Sequence, residues 1–509
     1  MNKRKPRDQE ARDEILNSNY SNYLISASAG SGKTTILVEK AISLIKNKKI
    51  KSYQKILMIT FTRRATEQIR ERIEEKMISE DDPSKSSNIR NKLKVSTTES
   101  FVINEVIKLF MREVLGQTYP LAEKIRENYN VKFNTFEEGI KVLKEKCTLG
   151  RYYDNKKNFM YELGYYILKN SINAQKYLKA KYPYLMIDEY QDVDYDMHKL
   201  YMYLKNTLKL NLFVVGDIKQ AIFEFRGADP KIFKELISDE DFKTFKLIEN
   251  FRSHMSIVKY SYNFEDSDIN IGNVNENKVY FYDNTSLEKI IKHIVSQYKE
   301  EQIAYLFARK DIFKNIETYL KLESFQLVND APMNTAYPEY YYFEPLLKYY
   351  FAKGNYNKFN IMKDLGLNSA RFSVVNELDL IIADLQLINY ENGDNNQLEN
   401  IMMKFENLLQ LKFSTESKQK LFKTLHDDYR INFAMEDYKR IALTIHKSKG
   451  LEFDHVITDA ESFYFSNKFN EESHYVTITR PKESLHIILN EKYKDYLRSK
   501  NISFNITEL

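Results

Sequence analysis

Short apolar runs recur along this chain, separated by longer mixed stretches with helical spacing. The runs at residues 23–25, 56–60, 184–187, 212–215, 303–307, 455–458 and 486–489 predict strands, several of them ending at a charged residue or a glycine. Buried apolar strands that alternate with amphipathic helices predict an α/β fold built on parallel sheets. In such sheets ligands bind beyond the carboxyl ends of the strands. Residues of about 103–171 and 331–429 break the alternation. Both read as insertions, the first helical with little strand signal and the second mostly helical and rich in Tyr, Asn and Leu. The polar stretch 79–91 reads as a surface loop and 390–400 as a loop or linker. No internal repeat or heptad run is visible.

Composition narrows the class. At 509 residues, a prior of about 150 per domain allows roughly three or four domains. A hydrophobic content of 43% supports packed cores. No apolar run approaches the roughly 18 residues of a membrane helix. The basic start Met1-Asn2-Lys3-Arg4-Lys5-Pro6-Arg7 lacks the apolar stretch of a signal peptide. The single cysteine, Cys147, excludes an intramolecular disulfide and a Cys-cluster metal site, so a cytoplasmic protein is expected. With 77 basic and 72 acidic residues, the net charge of +5 permits nucleic-acid binding without arguing for it.

The chemistry is concentrated at strand ends. Ala27-Ser28-Ala29-Gly30-Ser31-Gly32-Lys33-Thr34 follows the first strand run and precedes a helical pattern. Such a Gly-rich turn aims backbone N–H groups and a helix N-terminus at phosphates. Lys33 is expected at the β/γ-phosphates and the Thr34 hydroxyl on Mg²⁺. Ala27 stands where the general pattern has its first glycine. The strand at 184–187 runs into Asp188 and Glu189. The first suits Mg²⁺ and the second suits orienting and deprotonating a water. The strand at 212–215 leads to Gln220, a candidate γ-phosphate sensor, and then to Phe223, Phe225 and Arg226. Alternating aromatics beside an arginine suit stacking on unpaired bases, although such aromatics more often serve packing. Arg252 and Arg480 are candidates for stabilising charge in phosphoryl transfer.

In this order the motifs resemble the UvrD/Rep-like helicases of superfamily 1. The matching segments are Gly32-Lys33-Thr34, Thr60-Phe61-Thr62-Arg63-Arg64-Ala65, Asp188-Glu189-Tyr190-Gln191-Asp192, and Gly216-Asp217 through Gln220 to Arg226-Gly227-Ala228. Asn250-Phe251-Arg252-Ser253, Lys449-Gly450-Leu451-Glu452-Phe453 and Val476 to Arg480 complete the set. The resemblance implies two RecA-like domains using ATP and Mg²⁺. It places Gln9 at adenine, Phe251 stacked on it, Thr35 beside the loop, Glu452 near the ribose, and Arg252 and Arg480 at the γ-phosphate. It lines a single-strand DNA track with Phe61, Thr62, Phe223, Phe225, Arg226 and His446. The implied division is 1–102 and 172–246 for the first RecA-like domain, with 103–171 inserted. The second is 247–330 and 430–509, with 331–429 inserted.

Four departures stand out. Thr35 replaces an arginine that packs on adenine in the family, Phe225 replaces a Trp, and Glu99 replaces a His. Pro481 replaces an Ala and disfavours a helical Arg480. Within the family the chain looks most like the helicase-like subunit of the Gabija anti-phage system. That likeness implies a nuclease partner with ATPase-like and Toprim domains, the wider family implies 3′ to 5′ polarity, and stacking with backbone contacts implies sequence-independent DNA binding. Two other readings are a DNA-end-sensing ATPase that does not unwind, and a non-hydrolysing scaffold that docks the nuclease.

Overall fold

The computed structural model describes residues 6–61, 63–78, 83–154, 156–224, 227–265, 274, 276–284, 286–334, 339–352, 356–365, 367, 372–388, 395–409 and 411–508. The chain divides into two compact units. The first comprises Met1–Phe281, Ser448–Glu452 and Ala460–Ile506; the second comprises Tyr282–Lys447, Phe453–Asp459 and Thr507–Leu509.

The first unit opens with helix α1 (Gln9–Asn17), strand β1 (Tyr23–Ala27), helix α2 (Lys33–Lys46), strand β2 (Ile56–Thr60), helix α3 (Arg63–Ile78), helix α4 (Pro83–Lys92) and strand β3 (Leu93–Thr97). Strands β4 (Arg126–Phe133) and β5 (Thr148–Tyr152) follow, then β6 (Tyr184–Ile187), β7 (Asn211–Gly216) and β8 (Lys243–Leu247). Six of these form one sheet in the order β3-β2-β6-β7-β1-β8. Every pairing in it is parallel, with Ile59 opposite Ile187 and Ile25 opposite Val215.

Alternation explains why both faces of that sheet are covered. Leu24, Leu57, Ile59, Leu185, Ile187, Leu212 and Val214 pack into one core layer. Their neighbours Tyr23, Ile25, Ile56, Met58, Met186, Phe213 and Val215 pack into the other. A parallel sheet buried on both sides requires such continuous apolar strands. Because all six strands run the same way, their carboxyl ends share one edge, and the loops after β1, β6, β7 and β8 leave it together.

The insertion after residue 103 is not purely helical. β4 and β5 form a two-stranded parallel pair with a register shift between Glu127 and Lys132. The polar sequence of β4 hides its strand character. A Cβ at Gly150 would strike the Val131 carbonyl, so a glycine permits the close pairing. The segment expected as a loop at 79–91 contains α4, which opens on Pro83, a residue suited to the first helical position. Residues 79–82 lie outside the described residues. In the stretch 390–400, residues from Asn395 onward begin the helix Asn395–Leu409, and 390–394 lie outside the described residues.

The second unit holds β10 (Ile303–Phe307), β11 (Gln326–Leu327), β12 (Arg440–Thr444) and β13 (Phe453–Asp459), which follow β9 (Val279–Asp283). They pair in parallel in the order β11-β12-β10-β13. The helices Tyr340–Phe351, Phe372–Leu387 and Asn395–Leu409 build a separate core around Phe343, Leu347, Leu378, Ile381, Ile401 and Phe405. In the first unit, a short antiparallel hairpin of β14 (Tyr464–Phe465) and β15 (Lys468–Phe469) precedes β16 (Pro481–Leu489). No helix among the described residues is long and apolar enough to cross a membrane.

Candidate functional site

The turn from β1 into α2 carries two left-handed glycines, Gly30 at φ +71° and Gly32 at φ +80°. This conformation is strained for residues with a Cβ. A Cβ on Gly30 would also lie 2.6 Å from the Asn250 side-chain oxygen. Asn250 binds this turn to the segment after β8. Its Nδ2 donates to the Ala29 carbonyl at 3.0 Å, while its Oδ1 accepts from the N–H groups of Arg252 and Ser253. Phe251 N–H donates to the Gly30 carbonyl at 2.9 Å. Ala27 ends β1 in extended backbone, so a glycine is not needed there. Ser28 Oγ donates to Glu265, Ser31 Oγ donates to the Ser28 carbonyl, and the Tyr475 hydroxyl accepts from Ala29 N–H.

Lys33 begins α2 and is buried. Its Nζ lies 3.5 Å from the Ala27 carbonyl and 3.8 Å from Asp217 Oδ2. Thr34 Oγ1 donates to Asp188 Oδ2 at 2.8 Å, joining the Gly-rich turn, the P-loop, to the end of β6. Burial, with Glu189 beside it, raises the Asp188 pKa to about 6. Glu189 turns into the left-handed region at φ +55°. Burial opposes its ionisation, but Lys33, then Lys449, and a hydrogen bond from Gln191 hold its pKa below the usual range. The site therefore contains one carboxylate biased toward its neutral form and one biased toward its anion.

Gln220 connects this acidic end to the arginines. Its Nε2 donates to Asp217 Oδ2 at 2.6 Å, and its Oε1 accepts from Arg480 Nη2 at 3.4 Å. Arg480 follows the helix Glu471–Ile478 and precedes Pro481, the first residue of β16, so the non-helical backbone expected there is present. Its side chain is 1% exposed and donates to the carbonyls of Val476 and Leu451. Burial, together with Arg252, pushes its pKa down to about 9. Arg252 pairs with Glu452 at 2.7 Å and donates to the Thr479 carbonyl at 2.9 Å. Arg252 Nε is buried with no hydrogen-bond partner among the described residues.

Lys449 had no assigned role beyond its place in a motif, yet it is central here. Its Nζ contacts both Asp192 oxygens at 2.8 and 2.7 Å, donates to the Gln220 carbonyl, and lies 4.7 Å from the Phe223 ring centroid. Phe223 is buried and stacks on Phe61 with centroids 5.7 Å apart. Two expected DNA residues thus meet, joined through Lys449 to the acidic cluster. Thr62, Phe225 and Arg226 lie outside the described residues. His446 sits on the short helix Ile445–Ser448, in the other compact unit.

On the base side, Gln9 opens α1 and donates to Asp13 at 2.8 Å. Phe251 is 60% exposed. Thr35 Oγ1 accepts from Arg72 of α3. Among the described residues no group of three or more His, Cys, Asp or Glu is arranged for a metal ion. The Thr34 hydroxyl with the Asp188 carboxylate instead fits Mg²⁺, which takes few protein ligands and completes its shell with water and phosphate oxygens. Asn250, Tyr475, Glu265 and Lys449 were missed as site residues. The first, second and fourth lie inside or beside recognisable motifs; Glu265 carries no local signal.

The Gly-rich turn, an acidic pair, Gln220 and two arginines are linked by contacts. Comparison with known proteins agrees. Residues 9–226 match the model of an AAA domain, and residues 281–492 match that of the UvrD-like helicase C-terminal domain. The Gabija protein GajB of Bacillus cereus (strain VD045) is 32% identical over 502 residues, covering 96% of this chain and 97% of that protein. The chain belongs to the UvrD-like helicases. Other proteins match over shorter stretches. The ATP-dependent DNA helicase Rep of Buchnera aphidicola is 26% identical over 336 residues, spanning 55% of this chain and 50% of Rep. The RecBCD enzyme subunit RecB of the same organism is 33% identical over 192 residues, spanning 33% of this chain and 16% of RecB. As a UvrD-like helicase with α/β architecture, the chain is a superfamily 1 protein of the ATP-using type.

Proposed function

We propose that this chain is a DNA-dependent ATPase and 3′ to 5′ translocase or helicase that acts on single strands or DNA ends. We place it beside a Gabija-type nuclease with ATPase-like and Toprim domains, in anti-phage defence. The six-segment division into two RecA-like domains with two insertions is part of this reading. The supporting observation is the unbroken chain of contacts from Thr34 through Asp188, Glu189, Gln191 and Asp217 to Gln220 and Arg480.

Lys33 would neutralise the β- and γ-phosphate oxygens. Thr34 and Asp188 would hold Mg²⁺, which would supply charge stabilisation to the phosphates. Glu189, kept anionic by its cationic neighbours, would accept a proton from the attacking water. Arg252 and Arg480 would stabilise charge on the departing phosphoryl group, with Gln220 reporting its presence to Asp217. The Phe61–Phe223 stack, touched by Lys449, would relay that change to the DNA track.

The test is ATP hydrolysis with and without single-stranded and blunt-ended DNA. DNA-stimulated turnover is expected, abolished in Lys33→Ala. In Glu189→Gln it should fall about 10²- to 10⁴-fold while nucleotide binding persists. Turnover without strand separation on a labelled fork would favour the end-sensing reading. Full phage protection by Lys33→Ala would favour the scaffold.

A further inference from the structure

Thr35 leaves the base side of the P-loop without the arginine that the family carries there. A different arginine stands beside Phe251. Arg12, on α1, lies with its guanidinium carbon 4.9 Å from the Phe251 ring centroid. Its Nη2 donates to the Ser31 carbonyl at 2.8 Å. Asp8 grips it at two nitrogens, with Nε at 2.7 Å and Nη2 at 3.1 Å. Asp8 is itself fixed, because one of its oxygens accepts from the N–H groups of Ile248 and Glu249 just before Phe251. The cation is therefore held to the P-loop on one side and to the aromatic segment on the other. A guanidinium is planar and weakly hydrated, and it can lie flat against a π-face, which a tetrahedral, strongly hydrated ammonium cannot. Arg72 is the rival candidate, but it approaches from α3 and donates to Thr35 Oγ1.

We propose that Arg12 is the cationic wall of the nucleobase seat, packing with Phe251 against the purine of ATP and replacing the arginine lost at Thr35. The inference rests on the ATP reading of the P-loop. It differs from a merely structural role of Arg12, which would act on the phosphate half of the site through Ser31.

The experiment is displacement of a ribose-labelled fluorescent ATP analogue from the full chain, by ATP and by inorganic tripolyphosphate, which lacks a base. Arg12→Ala should weaken ATP binding about tenfold and leave tripolyphosphate competition unchanged. Arg12→Lys retains the charge without the planar face and should resemble Arg12→Ala, which also guards against misfolding of one variant. Arg72→Ala should stay close to wild type. Equal losses for ATP and tripolyphosphate would overturn the proposal, as would unchanged ATP binding in both Arg12 variants, or a base-dependent loss confined to Arg72→Ala. A wild-type chain that binds neither the analogue nor tripolyphosphate would remove the nucleotide reading itself, and the proposal with it.

Discussion

An ionised Asp188 costs the folded chain stability. Burial lifts its pKa from the ordinary 3.8 to about 6. Below 3.8 the carboxyl is protonated in both folded and unfolded chains and contributes nothing. As pH rises, the unfolded chain ionises first, and the penalty on folding grows until the folded carboxyl also ionises near pH 6. Asp188→Asn carries no such penalty. In metal-free buffer it should melt above wild type at pH 7.5, with the gap closing toward pH 4, while hydrolysis collapses. A lower melting temperature at pH 7.5 would show that the carboxylate is a net stabiliser. At this scale most of the site was legible from local order. The residues from Ala27 to Thr34, together with Asp188 and Glu189, carry their chemistry in adjacent letters. Arg12 does not, because its meaning comes from Asp8, Ser31 and Phe251, which only tertiary structure assembles.

Among the elements, the strands that were predicted in the first sheet, β1, β2, β6 and β7, are its four interior members. The two that were not, β3 and β8, are its edges. Their sequences, Leu-Lys-Val-Ser-Thr and Lys-Thr-Phe-Lys-Leu, alternate with polar residues because edges are only partly covered. Burial on both faces made the interior strands conspicuous, and partial exposure hid the others. The same reasoning covers β16, predicted only over its apolar second half. The segment Ser448–Glu452 contributes a different kind of link, through the Lys449–Asp192 pair. Asp192 is 2% exposed, and burial pushes its pKa up to about 7 even against Lys449. Removing the cation strands a buried carboxylate, at a cost of about 3–5 kcal/mol. Lys449→Met should therefore unfold at distinctly lower urea concentration, and adding Asp192→Asn should recover much of the loss. Simple additivity of the two changes would exclude direct coupling.

For the whole molecule, charge is nearly balanced, so DNA affinity must come from local placement of cations rather than from a global field. The proposed DNA track was the least legible part of the candidate site. Its residues are scattered through the chain, and His446 belongs to a different compact unit from Phe61 and Phe223. Association with single-stranded DNA should weaken linearly in log–log form as salt rises, because phosphate contacts release counterions. A flat titration by fluorescence anisotropy would contradict a strand-tracking role. Arg480 sets a contrast to that behaviour. Its guanidinium is enclosed, and mobile ions screen enclosed charges far less than surface ones. Ionic strength should thus work as a clutch, releasing the track from its strand while the engine at the phosphates stays engaged. Salt alone could then hold the protein in an idling state, loaded with nucleotide and detached from DNA.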